Sequence, residues 1–210
     1  MSITKLTEGY IQEHPSIKDC LRKGMINYSA LTRQIAEDKD LDLKKNFDAI
    51  LIACRRYYRK VKKERVLEDK IIEILSKSKL EVKNKIIVVV IEKDIYFNHL
   101  LDLQKMIKSK AEVFNVIEGS TTMTLITAEE FGDEIKKLFK TKILRFTGDL
   151  AEVTLKSSDA MEETPGVIAY LTTLLAENGI NIMETMSTWT DTLFVISEKD
   201  IARVMDVLRF

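Results

Sequence analysis

Apolar positions recur at two different periods along these 210 residues, and the change of period divides the chain. Up to about residue 64 the spacing is helical. Pro15 suits the first turn of a helix, where its missing N–H costs nothing. The run "PSIKDCLRKG" then stops at Gly24, a natural residue just past a helix end. Asn27 or Ser29 caps a second helix, "YSALTRQIAED", with Leu31, Ile35 and Ala36 on one face. A third spans residues 44–63, with Phe47, Ile50, Leu51, Cys54, Tyr58 and Val61 in one apolar stripe. "LEDKIIEILSKSK" continues as a helix, and helical spacing ends at "KLEVKNK".

From Lys85 the grammar is that of strands. "IIVVVIE" is a β-branched run suited to a buried strand. A helix ("FNHLLDLQKMIKSK"), two short strands ("EVFNVIEG", "TMTLITA"), a helix ("EFGDEIKKLFKTK") and a strand ("ILRFTG") complete a βαββαβ order. "LAEVTLKS", "GVIAYLTTLLAENG", "INIMETMST", "TLFVIS" and "EKDIARVMDVL" then repeat it as βαββα, with a period of about sixty residues. This predicts four parts: residues 1–64 helical, 65–84 a linker helix and boundary, 85–148 a first repeat and 149–210 a second. The second ends without a fourth strand, which leaves a sheet edge for a neighbouring repeat or another subunit to cover.

Charge sharpens the division. Residues 1–84 carry 19 Lys and Arg against 13 Asp and Glu, whereas residues 85–210 carry 14 against 20. The surplus concentrates in "RRYYRKVKKER". There Arg55, Arg56, Arg59, Lys60, Lys62 and Lys63 decorate the outer faces of the third helix. Two readings stay open for them: a solvated helix end whose cations complement the C-terminal dipole, or a contact surface for duplex DNA. "INYSALTRQIA" followed by "ILIACRRYYRK" resembles the second and third helices of winged-helix regulators, which implies a helix-turn-helix-like front domain.

Several function classes are disfavoured. Seven glycines, none in a GxGxxG or GxxxxGK arrangement, argue against nucleotide catalysis. No Ser-His-Asp or Cys-His constellation stands out, and Glu162 and Glu163 read as solvated neighbours. The chain is therefore expected not to be an enzyme and to need no cofactor. His14 and His99 are far apart, so no metal site is expected. Cys20 and Cys54 lie in apolar helical patterns, as buried reduced thiols of a cytoplasmic protein. No apolar run approaches the roughly 20 residues of a membrane span.

The second repeat carries a specific resemblance. Pro165, Gly166 and Val167 open its helix, and Gly179, Ile180, Asn181 and Ile182 open its second strand. "SEKD" at Ser197–Asp200 opens its last helix. This pattern resembles an ACT domain, closest in flavour to those of aspartate kinases. It implies an α+β chain: a helical, helix-turn-helix-like front followed by two ferredoxin-like βαββαβ ACT repeats. In the first repeat "EKDIYFN" stands where the Pro-Gly loop would be, so that loop looks degenerate. The front segment, short and without a glycine-rich phosphate loop, is not expected to be a kinase catalytic domain.

The resemblance also implies a small ligand, an amino acid, held between the loop before the helix and the second strand of a partner unit. Carried over by position, the loop residues are Met161, Glu163, Thr164, Gly166 and Val167, and the strand residues Asn181, Ile182, Met183 and Ser187. The start of the helix offers free N–H groups to a carboxylate, and Asp159, Glu163 and Asn181 offer acceptors to an ammonium. The same Pro-Gly and Gly-Ile-Asn also serve as plain cap and turn chemistry. Trp189, in the hairpin between the two strands, suits a pocket wall, an interface or an exposed turn. A homodimer through the ACT sheets is expected. The combined expectation is a ligand-sensing regulator of amino-acid metabolism acting on DNA; the alternative is a subunit that docks onto a metabolic enzyme.

Overall fold

Local capping chemistry starts the helices at the front of the chain. In the computed structural model, which describes residues 2–62, 66–94 and 97–210 (backbone only at Val66, Leu67, Phe97 and Asn98), Ser2, Asn27 and Asp42 each accept a hydrogen bond from a first-turn amide. They open α1 (Ile3–Glu13), α3 (Tyr28–Asp38) and α4 (Leu43–Val61). Pro15 opens α2 (Pro15–Lys23), and Gly24 closes it at φ 72° with its amide on the Cys20 and Leu21 carbonyls. Helix α5 is Val66–Ser76. The chain divides into two compact units, Met1–Lys70 and Ile71–Phe210.

The first unit buries Tyr10, Ile11, Leu21, Ile35, Ile50 and Cys54 together. Three helices were expected before residue 64, and four are found. Helices α1 and α2 pack on α4, so α4 faces three neighbours, α1, α2 and α3. That widens and rotates its apolar face. The buried positions are Ile50, Ala53, Cys54, Tyr57 and Val61, and Tyr58 is only half-buried. No strand occurs among the described residues of this unit.

The second unit is one antiparallel sheet with order β2-β3-β1-β4-β6-β5. Its strands are β1 (Lys79–Glu92), β2 (Phe114–Glu118), β3 (Thr122–Ala128), β4 (Ile143–Lys156), β5 (Ile182–Ser187) and β6 (Asp191–Ser197). Its helices are α6 (Phe97–Ser109), α7 (Gly132–Phe139), α8 (Ala160–Glu163), α9 (Val167–Glu177) and α10 (Ile201–Val207). The element order recurs in the two halves. Ile95 and Tyr96 of the loop "EKDIYFN" lie outside the described residues.

The two 14-residue strands, β1 and β4, each serve both halves. Residues 86–92 of β1 pair with β3, and residues 88–91 with the start of β4 at 143–147. That makes the ferredoxin-like order β2-β3-β1-β4. Residues 79–83 of β1 pair with the end of β4 at 152–156, beside β6 and β5. The fourth strand of the second half is therefore Lys79–Lys83, which sequence patterning assigned to the linker 65–84. That segment alternates weakly, with only Leu80 and Val82 packed on the core of the second half, so it lacks the apolar run of a buried strand. Likewise the break drawn at residues 148/149 falls inside the continuous strand β4.

A bulge between Lys83 and Ile86 accompanies the exchange, with Lys85 at φ 53° and Asp149 at φ 55°. It shifts the alternation by one residue. Leu80, Val82, Ile87 and Val89 therefore share the helix-covered face and its two main cores. Lys83, Ile86 and Val88 point to the other face with their partners Glu152 and Leu150. On that face Ile86, Val88, Val113, Ile126, Leu150 and Val195 form a small core of their own.

Candidate site at the start of helix α9

Helix α9 begins without a side-chain cap. Gly166 sits at its N-cap with φ 94°, and no acidic residue occupies the first turn. The Gly166 carbonyl accepts the Tyr170 amide at 2.8 Å, so the helix is well formed from its first turn. Its leading amides have no intrahelical acceptor, as at every helix start. A cavity of about 260 Å³ opens there, lined by Met161, Thr164, Gly166, Val167, Ser187 and Trp189 among others.

Thr164 is 3% exposed, and its hydroxyl has no hydrogen-bond partner among the described residues. A buried hydroxyl without a partner costs about 1–3 kcal/mol. Thr7 in the first unit shares that condition, but only Thr164 lines this cavity. Met161 is buried beneath, its sulfur accepting the Thr192 hydroxyl at 3.7 Å. Trp189 stands 67% exposed at the rim. The wall is apolar, and the polar groups are an uncapped helix start, hydroxyls and the exposed Glu162. That arrangement suits a carboxylate carried on a small, partly apolar molecule.

The sequence-derived ligand set does not converge on one cavity. Met161, Thr164, Gly166, Val167 and Ser187 gather at the start of α9. Asn181 and Met183 line a different cavity of about 520 Å³, with Gly179, Asp200 and Arg203. Asp159 and Glu163 are exposed, and Ile182 packs on the core of the second half. Strand β5 explains the split: Ile182 and Ser187 are its two ends, roughly 17 Å apart at strand rise. Patterning missed Glu162, Ile168, Ala169 and Thr188 as lining residues. Ile168 and Ala169 follow from the first turn of α9; Glu162 on α8 and Thr188 in the hairpin follow only from the fold.

In the first unit, Arg55, Arg56, Arg59, Lys60 and Lys62 are all exposed; Lys63 lies outside the described residues. Lys60 bonds Glu8 at 2.8 Å, and Lys62 lies 5.9 Å from the centre of the Tyr58 ring. Cys54 is buried, and burial pushes its thiol up to about 11; both cysteines are free. Among the described residues no group of three His, Cys, Asp or Glu could hold a metal ion, and no helix is long and apolar enough to cross a membrane.

Residues 146–209 match the family model of the ACT domain. Aspartate kinase from Clostridium acetobutylicum superposes with a TM-score of 0.52 at 14% identity, over 62% of this chain and 33% of that one. The ligand-free regulatory subunit of aspartate kinase from Thermus thermophilus gives 0.48 at 14% identity, over 61% and 92%. Aspartokinase III of E. coli with aspartate and ADP gives 0.47 at 13%, over 61% and 32%. The chain thus spans about a third of the Clostridium kinase, and at this identity the likeness is one of fold. No curated protein sequence matches the chain.

Proposed function

We infer that this chain is a regulatory protein that senses a small molecule, an amino acid, in the cavity at the start of α9, and that it performs no catalytic step itself. The observation that carries the reading is the Thr164 hydroxyl, buried without a partner on a cavity floored by an uncapped helix start. The ligand carboxylate takes the leading amides of α9 and the Thr164 hydroxyl. Its side chain lies against Met161 and Trp189. The ACT match over residues 146–209 supports a sensing role.

The cavity around Asn181 and Met183 lies at the far end of β5 from Ser187. A second copy of the chain, paired through the sheet edge at β5, would bring its own Asn181 end to the α9 start of the first. The sensor is accordingly a cytoplasmic homodimer with its ligand at the seam.

A thermal-shift screen of the twenty amino acids tests the reading. A ligand at a hundredfold excess over its dissociation constant should stabilise the protein by about 2.7 kcal/mol. No shift with any of them would overturn it.

The output of the first unit has two forms: docking onto an enzyme of amino-acid metabolism, or contact with duplex DNA. What favours DNA is that Arg55, Arg56 and Arg59 are exposed and form no ion pair among the described residues. In that case affinity falls steeply with salt, and Ala at Arg55, Arg59 and Lys62 flattens the dependence. Undetectable duplex binding at low salt leaves enzyme docking as the output.

A further inference from the structure

The face of the sheet that carries no helix holds a charge with no contacting counter-charge. Glu152, on β4, is 4% exposed. Asn115 on β2 donates its side-chain amide to the carboxylate at 3.0 Å, and the Thr154 hydroxyl supports it from the same strand. Both partners are neutral. No Lys or Arg forms an ion pair with Glu152 among the described residues. Burying a carboxylate on neutral hydrogen-bond donors is costly, and burial pushes its pKa up against the opposing pull of the Lys83 and Lys108 charges.

Glu152 also lines a cavity of about 420 Å³, within the range of small-molecule sites. The cavity lies where the halves of the sheet exchange strands. Glu81 and Lys83 of β1, Thr154 of β4, Leu193 of β6 and Asn115 of β2 all reach it. Of its charged groups, Glu81 is taken by Lys156 at 2.8 Å. Asp191 accepts the Thr190 hydroxyl at 3.1 Å. Glu112 is half-buried and Lys83 and Lys108 are exposed, and none of the three forms an ion pair among the described residues. The cavity therefore has a buried carboxylate inside, with two ammonium groups and the Glu112 carboxylate around it.

We propose that this cavity is a second ligand site, separate from the start of α9, and that it takes a small zwitterion whose ammonium bonds Glu152 and whose anionic group meets Lys83 and Lys108. A carboxylate has about four lone-pair positions, and Asn115 and Thr154 use two at most. An ammonium supplies the donors and the charge that are missing. A bound zwitterion touches β1, β2, β4 and β6 together, so it ties the edge strand β2 to the strand exchange. This site stands independently of the amino-acid reading given above for α9.

The test uses the full chain and three matched probes: 5-aminovalerate as the zwitterion, pentylamine as the cation alone and valerate as the anion alone. Binding is followed by calorimetry and by amide NMR shifts. 5-Aminovalerate should bind more tightly than either half-probe and shift the amides of Asn115, Thr154 and Leu193, not those of Ser187 and Thr188. Glu152→Gln keeps the shape and should weaken it roughly tenfold to a hundredfold, the loss of one charge-assisted bond. Lys83→Ala with Lys108→Ala should bring 5-aminovalerate down to the affinity of pentylamine. Three results overturn the site: no probe binding at millimolar concentration, shifts confined to Ser187 and Thr188, or unchanged affinity in Glu152→Gln. Should Glu152→Gln fail to fold, the amide shifts of the unsubstituted chain decide alone. If Lys83 itself swings onto Glu152 in solution, its cross-strand partner, the probes will not bind and the site is overturned.

Discussion

Thr164 is a threonine where a valine would fill the same space. Its hydroxyl is buried and has no partner among the described residues, so the native residue carries a cost that a ligand in the cavity would offset. Thr164→Val should raise the stability of the unliganded protein by about 1 kcal/mol. The same change should shrink the thermal shift produced by any amino acid that binds there. Urea denaturation with and without that amino acid checks both halves, and an equally large ligand shift in the variant would remove Thr164 from the site. Gly166, next but one along the chain, was legible as a special backbone position because it follows proline and precedes an apolar helix. Its φ of 94° bears that out. The missing partner of Thr164 was not legible, because nothing in a sequence says which hydroxyls fail to find an acceptor.

At the scale of elements, β1 teaches the most. Its residues 86–91, all apolar and β-branched, read plainly as a buried strand. Residues 79–83 do not, yet they supply the fourth strand of the second half. Lys85 between them looks like an interruption by composition, and replacing it with valine would extend the β-branched run. The structure argues the reverse. Lys85 sits at φ 53° beside a bulge, where a β-branched residue is strained. Lys85→Val should therefore destabilise the protein by about 1–2 kcal/mol despite its higher strand propensity, measured as a lower urea midpoint at constant slope. Because the bulge decides which face residues 79–83 present, such strain should also speed amide exchange at residues 152–156.

Across the whole molecule, buried and paired carboxylates pull stability in opposite directions with pH. The hydrogen bond that Lys156 donates to Glu81, with its charge, holds the carboxyl below its ordinary value, so its contribution is lost as pH falls through its lowered pKa. Glu152 behaves oppositely. Burial raises it above its ordinary 4.5, so the fold prefers its neutral form. Its contribution is full below the unfolded value and is lost as pH rises through the folded one. Glu152→Gln should therefore gain stability relative to the native chain as pH rises from 4.5. Parallel denaturation series at acid and neutral pH check this, and a pH-independent difference between the two proteins would contradict it.

By itself the sequence determined the local elements: helix starts at Pro15 and at Asn27 or Ser29, stops at Gly24 and Gly179, the strand run 86–91 and the Pro-Gly-Val entry to α9. Those are written in neighbouring residues, through capping, φ preference and periodicity. Only tertiary structure decided which strand completes which half, which face of α4 is buried, and that candidate ligand residues drawn from one motif lie at opposite ends of β5. It also decided that Glu152, one polar position in an alternating strand, is a buried carboxylate facing a cavity. Those properties depend on contacts between residues far apart in the chain, and a bulge of one residue at Lys85 is enough to exchange the inner face for the outer.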